Sequence, residues 1–508
     1  MTERRPGTER LLKLNLGKTK QKFHDRLIVD CEMVTVVHAL AMIRFPGAAR
    51  VLVLVLALVF LTGALADAET GTDSSATSAS FATTTKGLDV LHTSKILREA
   101  ESIADYVIGI RRELHRNPEL MWTETETSAV IKRELKAMGI THKDVASPGI
   151  VGIVGNGKSP VVLLRADMDA LPLREETDSE KFPEHLHSKN LGLMHACGHD
   201  GHIAMLLGAA KVLKKHEAAL NGTVYLTFQP AEEGGAGARH MLEKGLKEMT
   251  PRIETAFALH NWPYPETPSG TVGTRGGTIM AGSGSYEISI NGAGGHAAVP
   301  HKNVDVVVCG AAVVTALQTI VSRKVDPLDS VVISTTVFKA GGAASNVMGD
   351  QALLAGTFRA LSKQTFEWLH SAIETVASLS AQTHGCTVDV NYAPSKDGVT
   401  REEYPPTVND VQAAQFAMKM ANDVLGGDAD NRLVRDVAPV MPAEDFSFFG
   451  ELVPSAMMWL GAWNETNGAV FPLHSTKYLL DENVLHKGTA MHVGYAAGFL
   501  KQQGSFDF

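Results

Sequence analysis

Residues 195–202 read His-Ala-Cys-Gly-His-Asp-Gly-His, one thiol and three imidazoles in a single short stretch. Thiolate and imidazole are the ligands with which proteins hold zinc and similar divalent ions. Further along stand the adjacent acids Glu232 and Glu233, then His260, then His474 in Pro-Leu-His-Ser-Thr. A structural zinc knot more often offers four Cys or His ligands in two tight pairs. One Cys, several His and a Glu pair at the ends of strand-like runs suit a two-metal hydrolase instead.

Each residue carries its own reading. Cys197 and His199 are two apart, so they cannot share a helix face. A loop leading into a helix over 202–215 would let both converge, and a thiolate there can bridge two metals. His195 and His202 read as supporting or packing residues. Asp167 and Asp169 share a strand face and can orient ligand imidazoles; a solvated pair is the alternative. In an extended segment Glu232 and Glu233 point opposite ways. One can then ligate while the other acts as general base on a water whose pKa a metal has lowered to about 7. A lone His260 or His474 is more often structural, and each gains weight only from the others.

The elements that must position these groups alternate. Residues 94–116, 124–138, 202–215 and 235–248 have helical periodicity. The apolar runs 149–154, 161–165, 223–228 and 255–259 read as buried strands. This predicts an α/β domain with a mainly parallel central sheet, in which ligands gather beyond the carboxyl ends of strands. Asp167 and Asp169, Glu232 and Glu233, and His260 all follow such strands. From near Gly282 the order becomes strand (285–290), helix (303–322), strand (330–338), strand (351–358), helix (363–384), strand (386–392). That βαββαβ order matches a ferredoxin-like α+β unit. Because His474 returns to the metal group, the unit reads as an insertion: catalytic residues 94–280 and 394–508, inserted lid 281–393.

With 508 residues the chain can hold more than one domain with a real core. A net charge of −9, with no Lys/Arg-rich stripe, argues against a nucleic-acid partner. Four Cys do not make a disulfide scaffold. Residues 51–62 (VLVLVLALVFLT) are unbrokenly apolar but short of the roughly 20 needed to span a membrane. Arg44 and Arg50 precede them and Ala64-Leu65-Ala66 follows, the layout of a secretory signal peptide starting at Met42. Uncleaved, the segment would anchor the chain in a membrane. Residues 1–41 then form an extension or come from a misplaced start, and the Ser/Thr-rich 67–93 is a flexible linker. Asn221 and Asn464 lie in glycosylation sequons.

Seven stretches together carry a family resemblance: Arg165–Pro172 (RADMDALP), His195–Asp200 (HACGHD), Phe228–Gly234 (FQPAEEG), Leu259–Asn261 (LHN), Gly294–Ala298 (GGHAA), Met441–Phe446 (MPAEDF) and Pro472–His474 (PLH). Over roughly 95–500 the chain resembles the dinuclear metallopeptidases and amidohydrolases. Within them it is most similar to the branch of auxin (IAA)–amino acid conjugate hydrolases, hippurate hydrolases and N-acyl-amino-acid amidohydrolases. The resemblance implies a zinc-peptidase-like catalytic domain with an inserted lid that often serves for dimerisation. It implies two divalent ions, Mn²⁺ or Zn²⁺, held by Cys197, His199, Glu233, His260 and His474, with Cys197 where related peptidases have a bridging Asp. Glu232 becomes general base and acid. His296 in the lid helps hold the oxyanion, often across a homodimer, and Asn346 and Arg359 grip polar groups of the substrate. The implied substrate is a small N-acyl amino acid. The alternatives are a dipeptidase or carboxypeptidase, or a non-catalytic binder of amino-acid conjugates.

Overall fold

The computed structural model describes residues 93–396, 399–400, 402–426, 434–504 and 506. The expected extension 1–41, the expected signal segment 42–66 and all of the expected linker 67–93 except Thr93 lie outside the described residues.

In chain order the main elements are α1 (Thr93–Glu101), α2 (Ala104–His115), α3 (Thr125–Ala137), β1 (Thr141–Asp144), β2 (Ile150–Gly155), β3 (Val161–Asp167), α4 (His199–Lys215), β4 (Thr223–Gln229), β5 (Thr255–Trp262) and β6 (Val272–Thr274). A second group follows: β7 (Gly282–Asn291), α5 (Val306–Thr319), β8 (Val331–Ala340), β9 (Gln351–Ala360), α6 (Lys363–Thr383) and β10 (Thr387–Asn391). The chain then returns through α7 (Val411–Leu425), β11 (Val434–Asp436), β12 (Ser455–Gly461) and α8 (Leu485–Lys501).

The large sheet has the order β1-β2-β4-β3-β5-β12-β6-β11. Its centre, β4-β3-β5-β12, is parallel. Antiparallel pairs flank it: β1 with β2, β2 with β4, and β12 with β6. The four central strands are buried along their whole length. That explains their continuous apolar sequences, because helices cover both faces of a parallel sheet. On one face α4 packs against α2 and α8 and is buried on almost every side, as its all-round apolar character requires.

The second group forms its own antiparallel sheet, β8-β9-β7-β10. Strands β7 and β9 alternate strictly between buried and half-exposed residues, the pattern of a sheet covered on one face only. Helices α5 and α6 supply that cover, closing a separate core around Ile288, Val313, Leu354, Phe358, Leu369 and Ile373.

Several boundaries differ from the sequence reading. The helix expected over 94–116 breaks at Ser102–Ile103. The helix expected over 235–248 is a short helical piece, Gly237–Met241, running into a wider turn, Leu242–Leu246, interrupted at Gly245 with φ 128°. Strand β5 continues to Trp262, so His260 lies within it rather than after it. Helix α4 begins at His199, not near residue 202. Gly198 adopts φ 88°, a left-handed conformation that costs glycine little, and the helix starts at the next residue.

Candidate active site

The donors come from separate elements at one end of the parallel strands. Cys197 lies in the turn before α4, His199 opens that helix, Glu233 follows β4, His260 sits in β5, and His474 belongs to the loop after β12. Cys197 Sγ is 3.5 Å from His260 Nε2, and His474 Nε2 is 3.2 Å from Glu233 Oε1. Donor atoms of Cys197, Glu233 and His474 lie within 4.8 Å of one another, as do those of His199, Glu232 and Glu233.

Hydrogen bonds fix which ring nitrogens remain free. His199 Nδ1 donates to the Asp169 carbonyl at 2.8 Å, and His260 Nδ1 donates to the Asn261 carbonyl at 2.7 Å. Each ring is thereby turned so that Nε2 is the nitrogen left for a metal. His199 Nε2 is buried and has no hydrogen-bond partner. An unpaired buried polar atom is costly, and one grouped with carboxylate donors fits a divalent metal ion. His474 holds φ 62°, an uncommon conformation for a residue with a Cβ, and its N–H is anchored to the Ala196 carbonyl at 2.9 Å.

His202 uses both ring nitrogens elsewhere. Nδ1 donates to Asp167 at 2.6 Å, and Nε2 accepts the Asn261 backbone N–H at 3.0 Å. It has no lone pair left for an ion and acts as a brace. Asn261 is the neighbouring keystone: its Nδ2 donates to the Cys197 carbonyl at 2.7 Å, and its Oδ1 accepts from Tyr478 at 2.6 Å. His195 is buried with neither ring nitrogen paired, and burial pushes its pKa down to about 4.

The dipeptide Glu232–Glu233 is not extended. Residues 232–234 form a turn closed by Gly234 N–H on the Glu232 carbonyl at 2.7 Å. Both carboxyls therefore reach the His199 side instead of pointing opposite ways. The turn is flanked by Ala231 and Ala236 at φ 56° and 49°. Asp169 Oδ2 accepts the Glu233 N–H at 2.9 Å, and the buried Glu124 accepts the Ala231 N–H at 2.8 Å. Burial, helped by the Asp169 charge, raises Glu124 to about 8.

Charge at the centre is unbalanced. The buried Arg165 guanidinium contacts Asp167 at 2.7 Å, Glu444 at 2.7 Å and Asp445 at 2.9 Å, with Gln229 at 2.9 Å. Burial raises Glu232 well above the usual carboxylate range, and the neighbouring Glu444 adds to it. Burial works against the charged form of His199, yet Asp167 and Asp169 outweigh it and lift the ring to about 10. Burial, followed by the Glu233 and Glu232 charges, pushes the Cys197 thiol up. These are the shifts of a donor set short of positive charge, and a bound cation inverts them.

The residues expected from the lid are not among these donor groups. His296 is exposed, on the two-residue strand Gly295–His296 paired with Val347–Met348. Asn346 is exposed next to it, its carbonyl accepting the Ala297 N–H at 3.0 Å. Arg359 on β9 is half-buried, with its guanidinium 3.5 Å from the Met441 carbonyl. Among the described residues, no hydrogen bond or ion pair joins His296 or Asn346 to the donor cluster.

Sequence reasoning assigned no role to Arg165, Asn261, Glu444, Asp445 or Tyr404. Arg165 was legible in part: two residues before Asp167 on a strand, it must share that side. Asn261, Glu444 and Asp445 lie in stretches that carry the family resemblance, LHN and MPAEDF, and nothing local in the sequence marks Tyr404.

Residues 163–497 match the peptidase family M20/M25/M40. The chain is 42% identical over 415 residues to an IAA-amino acid hydrolase ILR1-like 2 of Arabidopsis thaliana, covering 81% of this chain and 90% of that one. It is 35% identical over 410 residues to thermostable carboxypeptidase 2 of Saccharolobus solfataricus, 80% and 98% being covered. It is also 35% identical over 394 residues to a hippurate hydrolase of Campylobacter jejuni, 77% and 96% being covered. Among solved structures it is similar to the YXEP protein of Bacillus subtilis, a dinuclear metal binding peptidase from the M20 family. The TM-score there is 0.65 at 30% identity, over 79% of this chain and 99% of that one.

Proposed function

The chain belongs to peptidase family M20/M25/M40 and is a hydrolase, and from that premise we propose that it cleaves the amide bond of N-acyl amino acids to free acid and amino acid. The names of its relatives, an IAA-amino acid hydrolase and a hippurate hydrolase, support that substrate class. The observation that carries the reading is Glu232: a carboxyl 6% exposed, with an oxygen within 4.8 Å of donor atoms of His199 and Glu233.

Cys197, His199, Glu233, His260 and His474 would hold two divalent ions. When bound, these supply polarisation of the amide carbonyl and acidification of water. Zn²⁺ suits the thiol and imidazoles; Mn²⁺ fits the family resemblance. Glu232 takes the proton of the attacking water and passes it to the leaving nitrogen. Arg359 offers a planar fork to the substrate carboxylate, Asn346 a polar grip, and His296 a donor to the developing oxyanion. His296 would act from a second copy, through a homodimer formed by lid residues 281–393. Exposed apolar residues of the lid, Val307, Val308, Val332 and Phe338, support that surface. The pattern of residues 42–66 supports entry to the secretory pathway and secretion.

Hydrolysis of a panel tests the proposal: N-acetyl amino acids, hippurate, indole-3-acetyl-alanine and dipeptides, each with Mn²⁺, Zn²⁺ or a chelator. Metal-dependent release of amino acid from the acyl conjugates is expected. Turnover of dipeptides alone would replace the proposal with a peptidase, the reading that the 35% identity to a carboxypeptidase favours.

A further inference from the structure

The geometry points to Tyr404 as a positioning residue that ties Glu232 to the hinge of the lid; this rests on Glu232 acting as the base. The turn bearing Glu232 needs ties from outside. Ala231 and Ala236, one on each side, occupy the left-handed region at φ 56° and 49° without being glycine, and such a conformation persists only when its surroundings impose it. Glu124 and Asp169 supply two ties, to the N–H groups of Ala231 and Glu233. The third is Tyr404. Its hydroxyl donates to the Glu232 carbonyl at 2.6 Å and accepts the Ala236 N–H at 3.1 Å. One buried oxygen therefore fixes the peptide plane at Glu232 and the far end of the turn together.

Tyr404 lies where the chain leaves the lid. Its backbone pairs in both directions with Ser283, where the chain enters the lid: Ser283 N–H to the Tyr404 carbonyl at 2.9 Å, and Tyr404 N–H to the Ser283 carbonyl at 3.0 Å. The residues before it clasp both sides. Glu402 donates its N–H to the Gly234 carbonyl at 3.2 Å and pairs with Arg239 at 2.6 Å. Glu403 pairs with His370 of lid helix α6 at 2.9 Å. Residues 402 and 404 thus serve the Glu232 turn while residue 403 serves the lid, the alternation of an extended segment. A shift of the lid strand at Ser283 or of α6 is transmitted to the segment that holds the Glu232 carbonyl. Tyr404 acts on the reaction through Glu232 and not by touching substrate.

The test is Tyr404→Phe in the full chain, with Glu232→Gln alongside. Rates fall steeply when a reacting group is misplaced by about 1 Å, so kcat should drop about ten- to a hundredfold. KM should stay within about twofold, because the interaction serves the reacting geometry and not binding. Metal content should be unchanged, and amide hydrogen exchange should quicken in residues 230–237 alone. A Tyr404→Phe enzyme with wild-type kcat, beside an inactive Glu232→Gln, overturns the role of Tyr404 and leaves the base assignment standing. Full turnover by Glu232→Gln overturns the base assignment itself. If Tyr404→Phe does not fold, Glu402→Gln carries the test through the half-exposed pair with Arg239. A severalfold loss of kcat at constant KM supports the coupling, and unchanged kcat refutes it.

Discussion

Gly198 separates two donors, Cys197 and His199, and its replacement by alanine should be out of proportion to one methyl group. The first cost is conformational: at φ 88° an L-residue pays roughly 1–2 kcal/mol that glycine does not. The second is steric. A Cβ would stand 2.4 Å from Asn261 Nδ2 and 2.5 Å from Tyr478 Oη, so both must move. Neither is a free side-chain end. Asn261 Nδ2 is bonded to the Cys197 carbonyl and Tyr478 Oη to Asn261 Oδ1, and both residues are buried. Each buried polar group left without its partner costs about 1–3 kcal/mol. Gly198→Ala should therefore destabilise the metal-free protein by about 3–8 kcal/mol. Urea unfolding followed by tryptophan fluorescence reads this directly, because Trp262 and Trp459 stack at 4.3 Å beside His260. Asn261→Ala in the same background removes one colliding group, so the double variant should be more stable than the two losses summed, by at least about 1 kcal/mol. A Gly198→Ala protein within about 1 kcal/mol of wild type, or strict additivity in the pair, would refute the reasoning.

Glu232→Gln should lower turnover about 10²- to 10⁴-fold while metal analysis still finds two ions, since Glu232 is not needed as a donor. Chelation should lower the thermal midpoint: at ion concentrations about 100 to 1,000 times Kd, binding contributes about 3–4 kcal/mol, and a midpoint indifferent to chelator would contradict the donor set. At the lid, the Glu403 hydrogen bond raises the His370 pKa. A raised histidine pKa stabilises fully below the unfolded value, about 6.5, and the contribution fades as pH climbs through the folded value. Glu403→Gln should thus cost more at pH 6 than at pH 9, by under about 1 kcal/mol for so exposed a pair; equal losses at both pH values would remove the pair from the account.

What the sequence made legible was whatever one element determines alone. The apolar runs 161–165 and 223–228 mark β3 and β4 because fully buried strands leave no polar alternation. Cys197, His199, Glu233, His260 and His474 stood out because thiol, imidazole and carboxylate at strand ends have few other uses together. The start of α4 was misjudged, since the gain of a left-handed Gly198 depends on Asn261 and Tyr478, far away in the chain. The Glu232–Glu233 turn was misjudged for the same reason: local preference favours neither Ala231 nor Ala236 at positive φ, and Glu124, Asp169 and Tyr404 impose it from three other segments. Arg165 could be placed beside Asp167 from strand geometry, but its partners Glu444 and Asp445 approach only through the tertiary fold.

Arg165 also sorts the acids of the centre into two kinds. Asp167 and Asp445 both touch its guanidinium, yet their affinities for a proton move in opposite directions. Burial works against charge on Asp167, but Arg165, His199 and His202 outweigh it and hold the carboxyl well below its usual range. For Asp445 burial wins, with Glu444 beside it adding to the rise against the pull of Arg165. Glu232, whose carboxyl lies within 4.8 Å of Glu444 and Asp445, moves up with it. One flank of the guanidinium thus holds an anion that braces His202, and the other holds acids whose affinity for a proton rises. Environments that push like groups apart in this way separate the acid and base roles of an active site. Here the separation falls between the side that braces the histidines, where charge is kept, and the side bearing Glu232, whose carboxylate is freed to take a proton from water once cations offset the neighbouring acids.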